Sequence, residues 1–146
     1  MMTKAFCTLI TIFIAGILSA QTDDEAYKVC DDRVFTKVEI LPDFKNGKAA
    51  FEDTLTGYLK KKNALPKRGN ITYTFIVTMQ SNVLDIKKME GDVEYEDSVK
   101  AALISIPGIW KPAIQNTHQV CAYVSLKIDF SENKLTAKIV EPVLGE

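Results

Sequence analysis

The fold of this chain is decided by residues 109–130, which read IWKPAIQNTHQVCAYVSLKIDF. From residue 120 to residue 130, apolar residues alternate with residues of mixed character, which is the period-2 pattern of a half-buried β-strand. Trp110 is the only tryptophan and stands between Pro107 and Pro112, and prolines end helices. The stretch therefore predicts a long strand, preceded by a bulky side chain that fills the space between a helix end and a sheet.

Segments on both sides of this stretch repeat the same alternation. Residues 131–134 read as a tight turn and residues 135–140 as a final strand, antiparallel to its predecessor. Nearer the N-terminus, residues 71–79 alternate and are rich in β-branched and aromatic residues, which is typical of a strand. Residues 80–82 then predict a hairpin turn, and residues 83–89 the returning strand.

Two further segments have the apolar spacing of amphipathic helices. The first begins after Asn46, the expected N-cap, and carries Glu52 and Asp53 in its early turns, where the helix dipole favours acids. It ends at the lysines of residues 60–62, which we interpret as a solvated helix end rather than an anion site. The second helix covers about residues 95–106. The expected buried residues are Ala50, Phe51, Leu55, Tyr58 and Leu59 in the first helix and Val99, Ala102, Leu103 and Ile106 in the second.

The complete order of elements predicts an α+β fold. A weak alternation over residues 34–40, closed by Pro42, indicates a short edge strand before the first helix. The order is then β-α-β-β-α-β-β, which favours two helices packed on one face of a small antiparallel sheet. We expect one domain over residues 34–141, after an acidic tail at residues 21–33 and before a short tail at residues 142–146.

The first twenty residues differ in character from the rest of the chain. Lys4 precedes an uncharged apolar stretch over residues 5–18, and the small residues Ser19 and Ala20 follow it. This run of about 14 residues is shorter than the roughly 20 residues that span a membrane. We therefore predict a cleaved export signal over residues 1–20, with a retained membrane anchor as the alternative.

Cysteine usage agrees with export. Cys7 leaves with the signal, and Cys30 and Cys121 remain as an even pair in an oxidising compartment. We predict a disulfide between Cys30 and Cys121, and the alternative is two unrelated thiols. Their separation excludes a redox-active Cys-X-X-Cys motif.

The charges and polar residues indicate a protein without catalytic chemistry. The net charge of −1 gives no electrostatic basis for binding nucleic acid or an anionic membrane. His118 is the only histidine and lies in a turn-like stretch, so no nucleophile, base and orienting group can be assembled around it. The acidic residues 90–97 lack the alternate oxygen spacing of a metal loop and read as a helix start. We predict a non-enzymatic protein with no metal and no cofactor.

Binding by strand addition requires no special side chains, which suits this sequence. The edge of an antiparallel sheet can accept an extended peptide through backbone hydrogen bonds. We predict that the strand at residues 120–130 is that edge, with Tyr123, Ser125 and Lys127 on its more accessible face. The predicted peptide-binding residues are Val120, Ala122, Tyr123, Val124, Ser125 and Lys127.

Several of these stretches resemble the C-terminal domain of TonB proteins. The similarity runs from residue 34 to residue 130 and includes VEILPDF at residues 38–44, NGKAAF at residues 46–51 and IWKPA at residues 109–113. Its most specific part is the turn of Trp110, Lys111 and Pro112, for which we expect a structural role. The resemblance implies a two-helix domain in the periplasm of Gram-negative bacteria. It also implies binding of the extended TonB-box segment of outer-membrane receptors, linked to active import.

The chain departs from that family in three respects. Residues 21–33 contain no proline-rich spacer, the N-terminal segment reads as cleavable, and residues 135–140 can pair with the predicted binding edge and so occupy it. The sequence therefore predicts a stand-alone exported binding module for a peptide or an envelope protein. The alternatives are a TonB-type energy-transducer subunit anchored in the inner membrane, or a small secreted inhibitor of cystatin-like build.

Overall fold

The structure is a computed structural model that describes residues 29–30, 33–132 and 134–142. Helix α1 covers Lys48–Lys61 and helix α2 covers Glu96–Ser105. The strands are β1 (Asp43–Phe44), β2 (Arg68–Val77), β3 (Val83–Val93), β4 (Trp110–Lys111), β5 (Ala113–Gln115), β6 (His118–Val120), β7 (Ala122–Ser131) and β8 (Lys134–Val140). Of these, β2, β7 and β8 lie where the alternating patterns predicted strands.

The central sheet is antiparallel, with the strand order β3-β2-β7-β8. Both helices pack on one face of it, because their apolar residues share a core with alternate residues of the strands. The predicted α+β fold is confirmed. The core residues of this helix face include Phe51, Leu55 and Leu59 from α1, Val99, Ala102 and Leu103 from α2, and Ile71, Tyr73, Phe75 and Val77 from β2.

Trp110 follows α2 in the chain and packs between helix α1 and the sheet. Its side chain is 1% exposed, and its ring centroid lies 5.1 Å from that of Phe75 and 5.3 Å from that of Phe44. Phe44 in turn stacks on Phe51 at 4.2 Å, so strand β4 and helix α1 are joined through aromatic rings. Pro112 is also buried, whereas Lys111 is exposed. These positions agree with a structural role for the Trp-Lys-Pro turn.

Tyr73 connects the middle of β2 to the start of α2. Its ring is fully buried, and its hydroxyl donates a hydrogen bond to the backbone carbonyl of Glu96 at 3.4 Å. Burial raises the pKa of Tyr73, because the phenolate would be desolvated, and the carboxylates of Glu96 and Asp97 raise it further. The Tyr73 phenol therefore keeps its proton to a higher pH than an exposed tyrosine does.

The predicted edge strand at residues 34–40 does not form. Only two residues of this segment make isolated bridges, Phe35 with Ala122 in β7 and Ile40 with Ile114 in β5. The segment crosses from β7 to β5 and then to β4, so its bonded residues pair with different elements. A continuous ladder needs one partner strand over several residues, and this segment has none.

Both helix starts differ from the sequence-based expectation. The N-cap of α1 is Gly47, at φ +85°, and not Asn46, because a left-handed backbone suits glycine. Glu52 lies beyond the first turn of α1, which contains no acid. Glu90 and Asp92 belong to β3, and only Glu96 and Asp97 lie in the first turn of α2.

The strand predicted at residues 120–130 is divided at Cys121. Val120 ends β6, where it pairs with Ala113 of β5, and β7 begins at Ala122. Cys121 forms the predicted disulfide with Cys30. Alternation continues through the break because both flanking segments are extended, so the sequence pattern could not reveal it.

Candidate functional site

The strand predicted as the peptide-binding edge lies inside the sheet. Over its whole length β7 pairs with β2, from Ala122 opposite Val77 to Ser131 opposite Arg68. On its other side, Ser125 to Ser131 pair with β8. The prediction that residues 120–130 form an edge is therefore wrong, because β8 occupies the position that an added strand would take.

At the N-terminal end of β7, which β8 does not reach, the N-terminal segment supplies the backbone partners. The backbone N–H of Phe35 donates to the carbonyl of Cys121 at 2.9 Å. The N–H of Tyr123 donates to the carbonyl of Phe35 at 3.0 Å. Phe35 therefore continues the row of partners beyond the end of β8, and the disulfide at Cys30 holds this segment beside β7.

The predicted binding residues differ in their exposure. Tyr123 and Lys127 are half-buried on the face opposite the helices, here called the open face. Ser125 shares that face, but it is fully buried, and its hydroxyl forms a hydrogen bond with that of Thr74 at 2.5 Å. Ala122 and Val124 are buried, and Val120 lies outside the central sheet. The structure thus brings five of the six residues onto one strand, without a free edge.

The true outer strands of the sheet are β3 and β8. Strand β3 is irregular: its register against β2 shifts twice, and Asp85 has a φ of 50°. Lys88 of β3 donates hydrogen bonds to Glu96 at 3.0 Å and to Asp92 at 3.2 Å, and these bonds raise the pKa of Lys88. Bulges and irregular register at an edge hinder the pairing of another strand.

Strand β8 is regular in comparison. Lys134 to Val140 pair with Ser131 to Ser125 of β7 without any shift of register. Leu135 and Ala137 face the helix-side core, and Thr136 and Lys138 are exposed on the open face. Such an unshifted strand is the better template for a further strand.

A side chain of α1 already bonds to the outer edge of β8. The backbone N–H of Ala137 donates to Oε1 of Glu52 at 2.8 Å. Backbone direction alternates along a strand, so Leu135 and Ile139 also direct their N–H and C=O groups away from β7. The Glu52 carboxylate, whose Oε1 lies 3.7 Å from Nζ of Lys48, therefore stands where the carbonyl of a fifth strand would accept this hydrogen bond.

Sequence reasoning missed this contact between Glu52 and Ala137. It placed Glu52 in an early helical turn and ascribed it to the helix dipole. The two residues are 85 positions apart in the chain, and no local sequence pattern predicts a contact over that separation. A glutamate next to a buried helical stripe is the only local sign, and many solvated glutamates share it.

The single histidine lies away from both outer strands. His118 is exposed at the start of β6 and lines a cavity of about 350 Å³ beside the disulfide, together with Arg33 and Gln115. The turn before it is formed by Asn116 and Thr117, both at positive φ. In the described part of the chain, no group of three or more His, Cys, Asp or Glu side chains is placed to hold a metal ion. Across those same residues, no helix is long and apolar enough to cross a membrane.

Comparisons with protein-family models, with curated proteins and with solved structures give no match to this chain. The resemblance to TonB C-terminal domains over residues 34–130 therefore stays a prediction.

Proposed function

We propose that this protein is a non-enzymatic binding module that receives an extended segment of a partner protein along the outer edge of β8. The observation that carries the proposal is the hydrogen bond from Ala137 N–H to Glu52 at 2.8 Å on a strand of unbroken register. The Glu52 carboxylate takes the place of a peptide carbonyl, so the N–H of Ala137 already points outward as a donor for an added strand.

The expected affinity is modest. A segment that pairs with the outward groups of Leu135, Ala137 and Ile139 gains several backbone hydrogen bonds, each worth about 0.5–1.5 kcal/mol net. It must also displace Glu52 from Ala137 and lose conformational freedom on binding. We therefore place the dissociation constant on the order of micromolar to millimolar.

The partner belongs to the cell envelope in this proposal. The predicted export signal at residues 1–20 and the Cys30–Cys121 disulfide both suit an oxidising, extracytoplasmic compartment. The resemblance to TonB C-terminal domains suggests a TonB-box-like segment and a link to outer-membrane transport. The resemblance implies peptide binding at the flank of β7 that β8 occupies, and this favours a binding module over an energy transducer.

The test is a titration of isotope-labelled protein, residues 21–146, with extended TonB-box-type peptides, following backbone amide shifts. We expect saturable shifts at Leu135, Ala137 and Ile139, with the Ala137 amide among the most affected because its acceptor changes. Saturable shifts confined to β3, or no saturable shifts at all, would refute the proposal.

Glu52→Ala and Asp53→Ala form a matched pair for the same titration. Glu52→Ala removes the acceptor that competes with the peptide, so we expect roughly fivefold tighter binding, equivalent to about 1 kcal/mol. Asp53 is exposed on the same turn of α1, and we expect its removal to leave binding unchanged. Equal affinities of the two variants would show that Glu52 does not compete with the peptide for the N–H of Ala137.

A further inference from the structure

Two lysines stand side by side on the open face, next to the outer edge of β8. Lys127 of β7 and Lys138 of β8 are directly opposite each other in the strand register. Lys138 is exposed and Lys127 is half-buried. Like charges opposite each other on neighbouring strands repel, so this pair by itself destabilises the sheet.

The residues across the sheet leave the lysine pair without an ion-paired acid. The row that contains the pair reads Glu90, Thr72, Lys127, Lys138 from β3 to β8. Neighbouring strands lie about 4.8 Å apart, so the backbone of Glu90 is roughly 14 Å from that of Lys138. Glu90 instead accepts a hydrogen bond from Thr72 at 3.4 Å.

Nearer carboxylates lie on other rows. Asp129 is opposite Thr136, one step along the open face, and Glu141 follows the end of β8. Among the described residues, the salt bridges involve Lys48, Lys87 and Lys88, and none joins Lys127 or Lys138 to an acid. The positive end of the row therefore faces the position of a strand added to β8.

We infer that the segment bound by β8 is acidic, with an aspartate or glutamate placed against Lys138; this inference rests on the proposed function. Lys138 directs its backbone groups toward β7, so it forms a non-hydrogen-bonded pair with the added strand, whose Cα atoms lie about 4.5 Å apart. Side chains approach most closely in such pairs. A carboxylate at that position meets Lys138 directly and offsets its repulsion from Lys127.

The alternative role of Lys138 is protection. A lysine on an edge strand keeps other chains from pairing with it. Under that reading, Lys138 would oppose any added strand and would show no preference for an acid. The two roles therefore predict different relative affinities for an acidic and a neutral peptide that are otherwise identical.

The test uses two short blocked peptides of alternating threonine and valine that differ only in their central residue, aspartate or asparagine. Both are titrated into the isotope-labelled protein while the amides of β8 are followed. We expect roughly 2- to 5-fold tighter binding of the aspartate peptide at low salt. The preference should shrink at about 0.5 M salt, because screening weakens exposed charge pairs.

Two variants assign the preference to the lysine pair. Lys138→Gln should abolish the preference for aspartate, whereas Lys134→Gln should retain it, since Lys134 lies at the start of the same strand opposite Ser131. Equal binding of the two peptides by the unmodified protein would overturn this inference and leave strand addition standing. Retention of the preference in Lys138→Gln would also overturn it. If neither peptide shifts the amides of β8, strand addition at this edge is itself refuted.

Discussion

The two faces of the central sheet are covered to different extents and by different means. On the helix face, α1 and α2 cover the sheet with aliphatic and aromatic side chains around Trp110. On the open face, Thr72, Thr74 and Ser125 are buried although neither α1 nor α2 covers them. That face is held by a hydroxyl pair and by a disulfide that packs against Ile76. The comparison shows that one sheet can be stabilised by apolar area on one side and by specific pairs on the other.

Strand β2 shows the difference between the two faces most clearly. Residues 71–78 are all buried, although they alternate between the two faces. The residues facing the helices are apolar or aromatic, and those facing the other way include Thr72, Thr74 and Thr78. Both faces of β2 are buried, so its alternation does not separate buried residues from exposed ones.

Removal of the disulfide is expected to have the largest effect. The Cys30→Ser/Cys121→Ser variant should lower the free energy of unfolding by about 4 to 5 kcal/mol, since the cross-link closes a loop with a sequence separation of 91. Urea unfolding of the variant against the oxidised protein measures it, and the wild-type protein with a thiol reductant is the control. A loss below about 1 kcal/mol would show that the open face does not depend on its cross-link.

Trp110→Ala tests the helix face and should lower the free energy of unfolding by about 3 to 5 kcal/mol, because a fully buried aromatic side chain leaves a cavity. Lys111→Ala is the matched control, since Lys111 is the next residue and is exposed. Thermal and urea unfolding measure both variants. An almost unchanged stability of Trp110→Ala would mean that the aromatic cluster does not hold the helices to the sheet.

Thr74→Val and Ser125→Ala test the hydroxyl pair of the open face. Each single substitution removes one partner of a buried 2.5 Å hydrogen bond, so each should lower stability by about 1–3 kcal/mol. The double variant should lose less than the sum, because it leaves neither hydroxyl of the pair without the other. Strictly additive losses in a double-mutant cycle would show that the two hydroxyls act independently.

Most of the secondary structure followed from local patterns. The alternation over residues 71–77, 122–130 and 135–140 identified the long strands β2, β7 and β8, and the apolar spacing identified both helices. The sequence did not predict the short strands as separate elements, because β1, β4, β5 and β6 are two or three residues long and have no measurable period. Their pairing depends on the hairpin at Asn116 and Thr117 and on the crossing N-terminal segment.

The strand predicted as the binding edge, β7, lies in the middle of the sheet. Alternation in residues 122–130 reports which side chains face the core, and it is the same for a middle strand and an edge strand. The tight turn at residues 131–134 did predict that β8 pairs with β7. That β2 pairs with the other side of β7 depends on segments far apart in the chain, and the sequence could not show it.

The sequence alone determined the local features of this protein: the period-2 strands, the helical stripes, the position of Trp110 between helix and sheet, and an even pair of cysteines. The tertiary structure decided the order β3-β2-β7-β8, the bond between Glu52 and Ala137, and the register that places Lys127 opposite Lys138. The reason is physical. Periodicity is a property of neighbouring residues along one chain segment, whereas strand order and edge exposure are properties of segments that meet only when the sheet assembles.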